Sequence, residues 1–431
     1  MPDTTIRDIG QFEGQEVTIK GWLYNKRSSG KIHFLIVRDG TGEIQAVMVQ
    51  AEVSPEQFAL YESLTQESSV IVTGLVRRDD RAPSGFELTL KEIEIVQIAA
   101  EYPISKKDHG TDFLMNIRHL WLRSRRQFHI MRIRNEIIFA IRKFFYERDF
   151  VLIDSPILTG SIGETASTLF STDYYDLGKA YLAQTGQLYL ESAIMAHRNV
   201  FCFGPTFRAE KSKTRRHLTE FWMIEAEMAY CELDCDLELQ EDMVVYVVKH
   251  CLNTCKADLL AIDRDLGPLE KIEKPFVRMM YDDAITFLQK NGSSVQWGDD
   301  LGAEDETIIS NAHERPVFVC NYPKHAKAFY MKENPANPKT VLCADLLGPE
   351  GYGEIIGGSQ REDDYDKLVA RIKEENLPVE AYEWYLDLRK YGSVPHSGFG
   401  LGLERTIAWI CGMPHLREAI PFPRTISRLY P

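Results

Sequence analysis

Between residues 15 and 100 apolar and polar positions alternate with period two. Glu16–Tyr24 (EVTIKGWLY) keeps that alternation. So do His33–Arg38 and Gly42–Val49, which flank Asp39-Gly40-Thr41-Gly42, a hairpin turn signal. Ser69–Arg77 and Phe86–Ile98 continue the series on either side of the turn-rich Asp79–Gly85. Five short strands in roughly 85 residues predict a small barrel.

The pattern then changes. Residues 101–125 are polar and irregular and read as a connector. From Arg126 to Arg148 apolar residues recur at helical spacing (Ile130, Ile133, Ile137, Ile138, Ile141, Phe144, Phe145), which predicts a helix. Phe150–Leu158 reads as a strand ending at Pro156, and from there strands alternate with helices to the C-terminus. Residues 232–310 are richer in helix-period segments and charge, and read as a mainly helical insertion. The expected organisation is a five-stranded OB-fold barrel at 1–102, a hinge at 103–125 and a larger α/β domain of α+β type at 126–431.

Composition narrows the class. The 431 residues are 44% hydrophobic and 26% charged, near the globular average. Apolar runs such as Val244–Val248 are far too short to cross a bilayer. Met1-Pro-Asp-Thr-Thr-Ile carries neither a basic patch nor an apolar run, so a cytoplasmic protein without a signal peptide is expected. The formal charge of −14 argues against a small basic nucleic-acid module. It allows a large protein with a local basic patch. Eight cysteines do not make a disulfide framework and are expected as reduced thiols. Cys231/Cys235 and Cys251/Cys255 read as helix faces rather than a metal site.

Chemistry concentrates in four places. On the barrel, Arg27, Lys31, Phe34 and Gln45 are candidates for stacking on and binding single-stranded nucleic acid, although Phe34 alternates with core residues and is equally readable as core. In Phe203–Tyr230 (FGPTFRAEKSKTRRHLTEFWMIEAEMAY) two strands flank a loop carrying Lys211, Lys213, Arg215, Arg216 and His217. Arg208 and Glu225 fall on strand interiors, where an unpartnered charge is costly and a ligand is a reasonable partner. In Val394–Gly412 (VPHSGFGLGLERTIAWICG) glycines at every second position leave a strand face bare for a flat ligand or a backbone, and Arg405 opens the following helix, where an anion is favoured. In Ala344–Arg361 (ADLLGPEGYGEIIGGSQR), Asp345, Glu350 and Glu354 offer carboxylates, and those near phosphates commonly share Mg²⁺.

Pro156 after a long helix, the FRAE strand–loop–strand and the GFGLGLERT strand–helix resemble the three signature motifs of class II aminoacyl-tRNA synthetases, in order and across essentially the whole chain. The barrel resembles the anticodon-binding domain of their aspartyl, asparaginyl and lysyl subgroup. Long stretches such as GTDFLMNIRHLWLRSRRQ and YGSVPHSGFGLGLERTIAWICG are similar to its bacterial asparaginyl members.

The resemblance implies ATP-dependent attachment of asparagine to tRNA(Asn) through an asparaginyl-adenylate, with ATP as substrate and Mg²⁺ as cofactor. It implies catalytic roles for Arg208, Arg405 and Glu354. Arg208 would meet the α-phosphate, Glu210 and Phe221 the adenine, and His217 the terminal phosphates. Asp345 and Glu354 would hold the metal. Glu164 and Gln187 would hold the α-ammonium. Arg27, Phe34 and Gln45 would read the anticodon. The long helix and Pro156 would build a homodimer.

Aspartyl members typically read Gln-Ser-Pro-Gln-Leu-(Tyr/Phe)-Lys-Gln, where this chain has Gln184-Thr-Gly-Gln187-Leu-Tyr-Leu190-Glu191. The lysine is replaced by Leu190, and Glu225 with Arg361 offers one acceptor and one donor, a match for a carboxamide. Thr165 and Glu362-Asp363-Asp364 depart from the family pattern. An aspartyl enzyme, a paralogue that activates asparagine or aspartate without charging tRNA, and an RNA-binding protein with an inactive synthetase domain remain as alternatives.

Overall fold

The computed structural model describes residues 2–431 except Pro83, residues 161–162 and 165–167, and Lys213. Two compact units divide the chain, Met1–Thr111 and Asp112–Pro431, so the stretch expected as a hinge is shared between them.

The first unit is a closed five-stranded barrel of Glu16–Ser29, Ile32–Arg38, Glu43–Val49, Ser69–Arg78 and Phe86–Gln97. Closure comes from parallel pairing of the third and fifth strands, with Gln45 opposite Glu87. Period-two alternation sends Val17, Ile19, Leu35, Val37, Ile44, Ala46, Val70, Val72, Leu88 and Leu90 inward, all buried. At the predicted hairpin the Asp39 carboxylate accepts the Thr41 and Gly42 N–H groups (2.7 and 3.1 Å), and Gly40 takes φ +87°. A helix at Pro55–Ser63, unforeseen in the strand pattern, starts on the Ser54 hydroxyl, which accepts from Gln57 N–H, and on Pro55 at its first position.

The second unit is built on an eight-stranded sheet. Its order is Val277–Met280, Val317–Cys320, Cys343–Gly348, Gly353–Gln360, His396–Gly402, Glu220–Ala229, Asn199–Phe207 and Val151–Leu152. Neighbours are antiparallel except at the two edges. Two helices, Arg125–Tyr146 and Leu233–Thr254, supply much of the core behind it, with Ile130, Ile137, Phe144, Val244 and Val248 buried. The stretch expected as one strand over 150–158 is broken into Val151–Leu152 and Leu158–Thr159. The chain leaves the main sheet after Leu152, ahead of Pro156, which cannot donate to a ladder, and joins a separate three-stranded sheet at Leu158. The region 232–310 is mainly helical, and its strand Val277–Met280 becomes the outermost strand of the main sheet.

One cysteine pair differs from expectation. Cys231 and Cys235 form a disulfide, while the other six cysteines are free and buried. Cys231 ends the turn before the helix Leu233–Thr254 and Cys235 lies in its first turn, which brings the two Cα atoms within 5.5 Å, inside bonding range.

Candidate active site

The floor of the site is the strand Glu220–Ala229. Its alternation sends Ile224 and Ala226 into the core and sets Phe221, Met223, Glu225 and Glu227 on the other face. The glycine stripe of the neighbouring strand accommodates these side chains. A Cβ at Gly398 would lie 2.3 Å from the Glu227 carboxyl carbon, and one at Gly400 would lie 2.4 Å from Met223 Cε. The face expected to be bare is therefore covered by the protein's own side chains at those two positions. Above the floor are two lobes, of about 640 and about 1590 Å³. They share Arg208, Met223, Glu354 and Gly400 as common wall.

Arg208, Glu210, His217, Phe221, Glu354 and Arg405 all line the smaller lobe. Arg208 follows the strand Asn199–Phe207, and its N–H closes on the Thr219 carbonyl (3.0 Å). Its guanidinium lies 5.5 Å from the Phe221 ring centroid, and its buried Nε has no hydrogen-bond partner among the described residues. A buried charged donor in that state is uncommon and leaves one N–H free for a ligand. His217 Nε2 is 3.2 Å from Glu210 Oε2, and burial holds the imidazole below its ordinary pKa. Arg216, of the basic loop, turns inward. It donates to Glu306 Oε2 (3.3 Å), Thr307 Oγ1 (2.6 Å) and the Ala303 carbonyl (3.1 Å), which pins the loop to the helix Ala303–Asn311. Lys211 and Arg215 are exposed, and Lys213 lies outside the described residues. Arg405 sits in the first turn of Leu403–Cys411 and donates to the Glu354 carbonyl (2.8 Å) and Oε2 (3.1 Å).

Glu164, Gln187, Glu225 and Arg361 line the larger lobe. Burial raises the Glu164 carboxyl, while its Oε1 accepts from the Tyr330 hydroxyl (3.2 Å) and lies 3.9 Å from Arg208. Glu225 and Arg361 do not pair with each other. Glu225 accepts from the Thr185 hydroxyl, the Gly186 N–H (2.7 Å) and the Cys202 thiol (3.3 Å). Arg361 is clamped by Glu227, through Nε (2.9 Å) and Nη2, and by the Ser359 hydroxyl (2.7 Å). Gln187 donates to Glu191 Oε1 (3.0 Å). Glu191 is fully buried and also holds the Tyr385 hydroxyl (2.7 Å), Arg389 (2.7 Å) and His396 Nε2 (3.0 Å). Against its burial, Arg389 and His396 keep this carboxyl well below the usual range. Leu190, in the place of the aspartyl lysine, packs with Ile194 and Val200. Thr165 lies outside the described residues. Glu362 is buried, with its carboxylate 3.9 Å from Lys332, and its carbonyl accepts from Arg389 (2.9 Å).

Glu227, Glu191, Arg389, Tyr330 and Glu306 complete the network around these residues, and no separate signal in the residue pattern marks them. Only Glu227 was within reach, because it lies two residues beyond Glu225 on a strand and therefore on the same face.

Asp345 and Glu354 meet above Gly357. A Cβ there would lie 3.1 Å from Glu354 Oε1 and 3.5 Å from Asp345 Oδ1. Glu350 points elsewhere, gripping Arg264 through both oxygens (2.8 and 2.6 Å).

On the barrel, Arg27, Phe34 and Gln45 form one outward cluster. Phe34 is half-buried on the outer face, with Leu35 and His33 buried beside it. Arg27 is opposite Phe34 in register, its guanidinium 4.2 Å from the ring centroid, and Nη2 reaches Gln45 Oε1 (3.4 Å). Gln45 Nε2 is 3.5 Å from Glu87 Oε2.

The family model "tRNA synthetases class II (D, K and N)" matches residues 110–426, and the model "OB-fold nucleic acid binding domain" matches residues 17–96. The chain is similar to the crystal structure of asparaginyl-tRNA synthetase from Pyrococcus horikoshii complexed with asparaginyl-adenylate, at 46% identity and a TM-score of 0.97, with 100% of each chain covered. It is similar to asparaginyl-tRNA synthetase from Entamoeba histolytica at 32% identity and a TM-score of 0.91, again over 100% of each chain. The chain belongs to the asparaginyl-tRNA synthetase family. An aspartyl tRNA synthetase, also from Entamoeba histolytica, matches at 25% identity and a TM-score of 0.84, over 100% of this chain and 93% of that one. As a member of the asparaginyl-tRNA synthetase family the chain is an ATP-using ligase that charges tRNA with asparagine, and its barrel is the tRNA-binding OB fold of that architecture. No helix among the described residues is long and apolar enough to cross a membrane.

Proposed function

We propose that the smaller lobe takes ATP and the larger takes asparagine, with Arg208 at their junction. The observation that carries this reading is the buried Nε of Arg208, without a hydrogen-bond partner among the described residues, in the wall common to both lobes. The asparagine carboxylate attacks the α-phosphorus of ATP, and the bond to pyrophosphate breaks. The terminal ribose 3′-OH of tRNA(Asn) then attacks the acyl carbon, and AMP leaves. Arg208 neutralises charge on the α-phosphoryl oxygens, and Arg405 does so toward the far end of the triphosphate. Phe221 gives the adenine a stacking face. Glu210 meets its amino group, and His217 meets the terminal phosphates. No protein nucleophile is needed, since positioning and charge supply the rate.

Glu164 and Gln187 hold the α-ammonium. Arg361, with charge cancelled by Glu227, donates its remaining N–H groups to the carboxamide oxygen, while Glu225 lines the same end as an acceptor. An aspartate side chain in that place would set a carboxylate against Glu225 with no unpaired cation to receive it. The two carboxylate oxygens that converge over the side-chain-free Gly357 suit a hard cation, so Asp345 and Glu354 would hold Mg²⁺. That ion, when bound, would screen phosphate charge and orient the pyrophosphate leaving group.

Arg27, Phe34 and Gln45 bind the anticodon, Phe34 by stacking on its central base. The protein works in the cytoplasm as a homodimer. Exposed apolar residues around Pro156 support the dimer: Tyr146, Val151, Leu152, Ile157 and Leu158, with the two-residue edge strand between them.

The test is aminoacylation of total tRNA with labelled asparagine and, in parallel, labelled aspartate. Asparagine alone is expected to be charged. Charging of aspartate would overturn the pocket reading, and adenylate formation without charging would reassign the protein to a small-molecule ligation.

A further inference from the structure

Asp345 and Glu354 each give one carboxylate oxygen to a fixed cation. Lys327 Nζ lies 2.7 Å from Asp345 Oδ2 and 3.3 Å from Asp300 Oδ1, and it sits 3.9 Å from the Tyr322 ring centroid. Arg405 Nη1 lies 3.1 Å from Glu354 Oε2. The oxygens left over, Asp345 Oδ1 and Glu354 Oε1, are the two that converge above Gly357. Lys327 therefore does two things at once. It fixes which oxygen of Asp345 is offered, and it offsets that residue's charge. Each of the two carboxylates faces a cation, with Asp300 taking a share of Lys327, so much of the ligand-free pair's charge is offset. A hard divalent cation draws its binding energy mainly from net ligand charge, so a pair offset in this way holds it more weakly than a bare one. A triphosphate brings several negative charges of its own and reverses that balance.

We infer that Lys327 is a positioning residue that keeps the divalent-cation site from loading before the nucleotide arrives. The inference rests on the proposed role of Asp345 and Glu354 as ion ligands, and goes beyond it to the order of loading.

The experiment measures Mn²⁺ binding by water-proton relaxation, without nucleotide, on the full chain. Lys327→Met should bind Mn²⁺ at least about tenfold more tightly than the wild type, as expected for removing one charge a few ångströms away. Lys327→Arg, which keeps the charge, should behave as wild type. The double variant Lys327→Met/Asp345→Asn should return to wild-type weakness and melt near the wild type, which separates lost charge from a damaged fold. Unchanged or weaker Mn²⁺ binding by folded Lys327→Met overturns the inference. A second arm adds α,β-methylene-ATP to the wild type and to Asp345→Asn. Loss of the bound-Mn²⁺ relaxation signal in Asp345→Asn upholds the ligand reading. An unchanged signal there overturns the ligand reading itself, independently of the first arm.

Discussion

The barrel face and the cleft floor both gather charged and aromatic side chains on one side of a sheet, yet they hold them in opposite ways. On the barrel, Arg27, Phe34, Gln45 and Glu87 touch one another at long range, 3.4–4.2 Å where Arg27 is concerned, with solvent at hand. In the cleft, Glu191, Arg389, Arg361 and Glu227 have almost no exposure, and their contacts are short and several per group. A loosely paired exposed face exchanges its partners for a ligand at little cost. A buried web cannot, because removing one member strands another charge out of water. The barrel face can thus be remade by a ligand at little cost, whereas the cleft web is held as it is.

The largest expected effect is at the junction of the lobes. Arg208→Ala should reduce ATP–pyrophosphate exchange by at least about a thousandfold, the scale for losing a donor aimed at developing charge. It should leave tRNA binding by the barrel intact. Exchange near the wild-type rate would sink the assignment. The next effect tests the web directly. Glu191→Leu should cost about 3–5 kcal/mol in denaturant unfolding, since Arg389 is left buried and unpaired. A loss below about 1 kcal/mol would mean that the cleft is no more rigid than the barrel.

A pH-dependent effect comes third. Asp236 is fully buried, with Gln240 donating to Oδ2 (2.9 Å), and burial pushes its carboxyl up to about 7. The folded state therefore prefers the protonated form. Its contribution is complete below the unfolded value and is lost as pH rises toward 7. Asp236→Asn does not titrate. It should match the wild type near pH 4 and exceed it near pH 8 by up to about 4 kcal/mol, the upper bound set by about three pKa units. Thermal melting at both pH values reads the difference, and a gap that does not grow with pH would refute it. The smallest effect belongs to the barrel. Phe34→Ala should weaken tRNA binding by about 1–3 kcal/mol, roughly 5- to 150-fold in KM for tRNA. Pyrophosphate exchange should be unaffected, and a change in exchange instead would break the division of labour.

The same contrast explains what could be read from the residues alone. A barrel declares itself in period two, because every second residue faces its core, and that rule also placed Phe34 and Gln45 on one side. The helix Pro55–Ser63 was hidden, because neither its few buried residues nor its cap disturbed the strand pattern around it. In the catalytic unit, Arg208, Arg405 and Glu354 were visible because charge on a strand or at a helix start is conspicuous. Their partners were not. Arg361 meets Glu227 across 134 residues, and Glu191 meets Arg389 across 198, pairings made only when the sheet order is known. Glu225 was paired with Arg361 by the chemistry of the substrate, whereas the fold gives its oxygens to Thr185, Gly186 and Cys202. The disulfide Cys231–Cys235 was missed for a similar reason, since a helix begins between its two ends.

With ATP and asparagine in the two lobes as proposed, the shared wall is a route by which each substrate affects the other. Whatever the first to arrive does to Arg208, Met223 and Glu354, the second meets already done. Linkage then requires reciprocity: if ATP tightens the hold on asparagine by some factor, asparagine tightens the hold on ATP by that same factor.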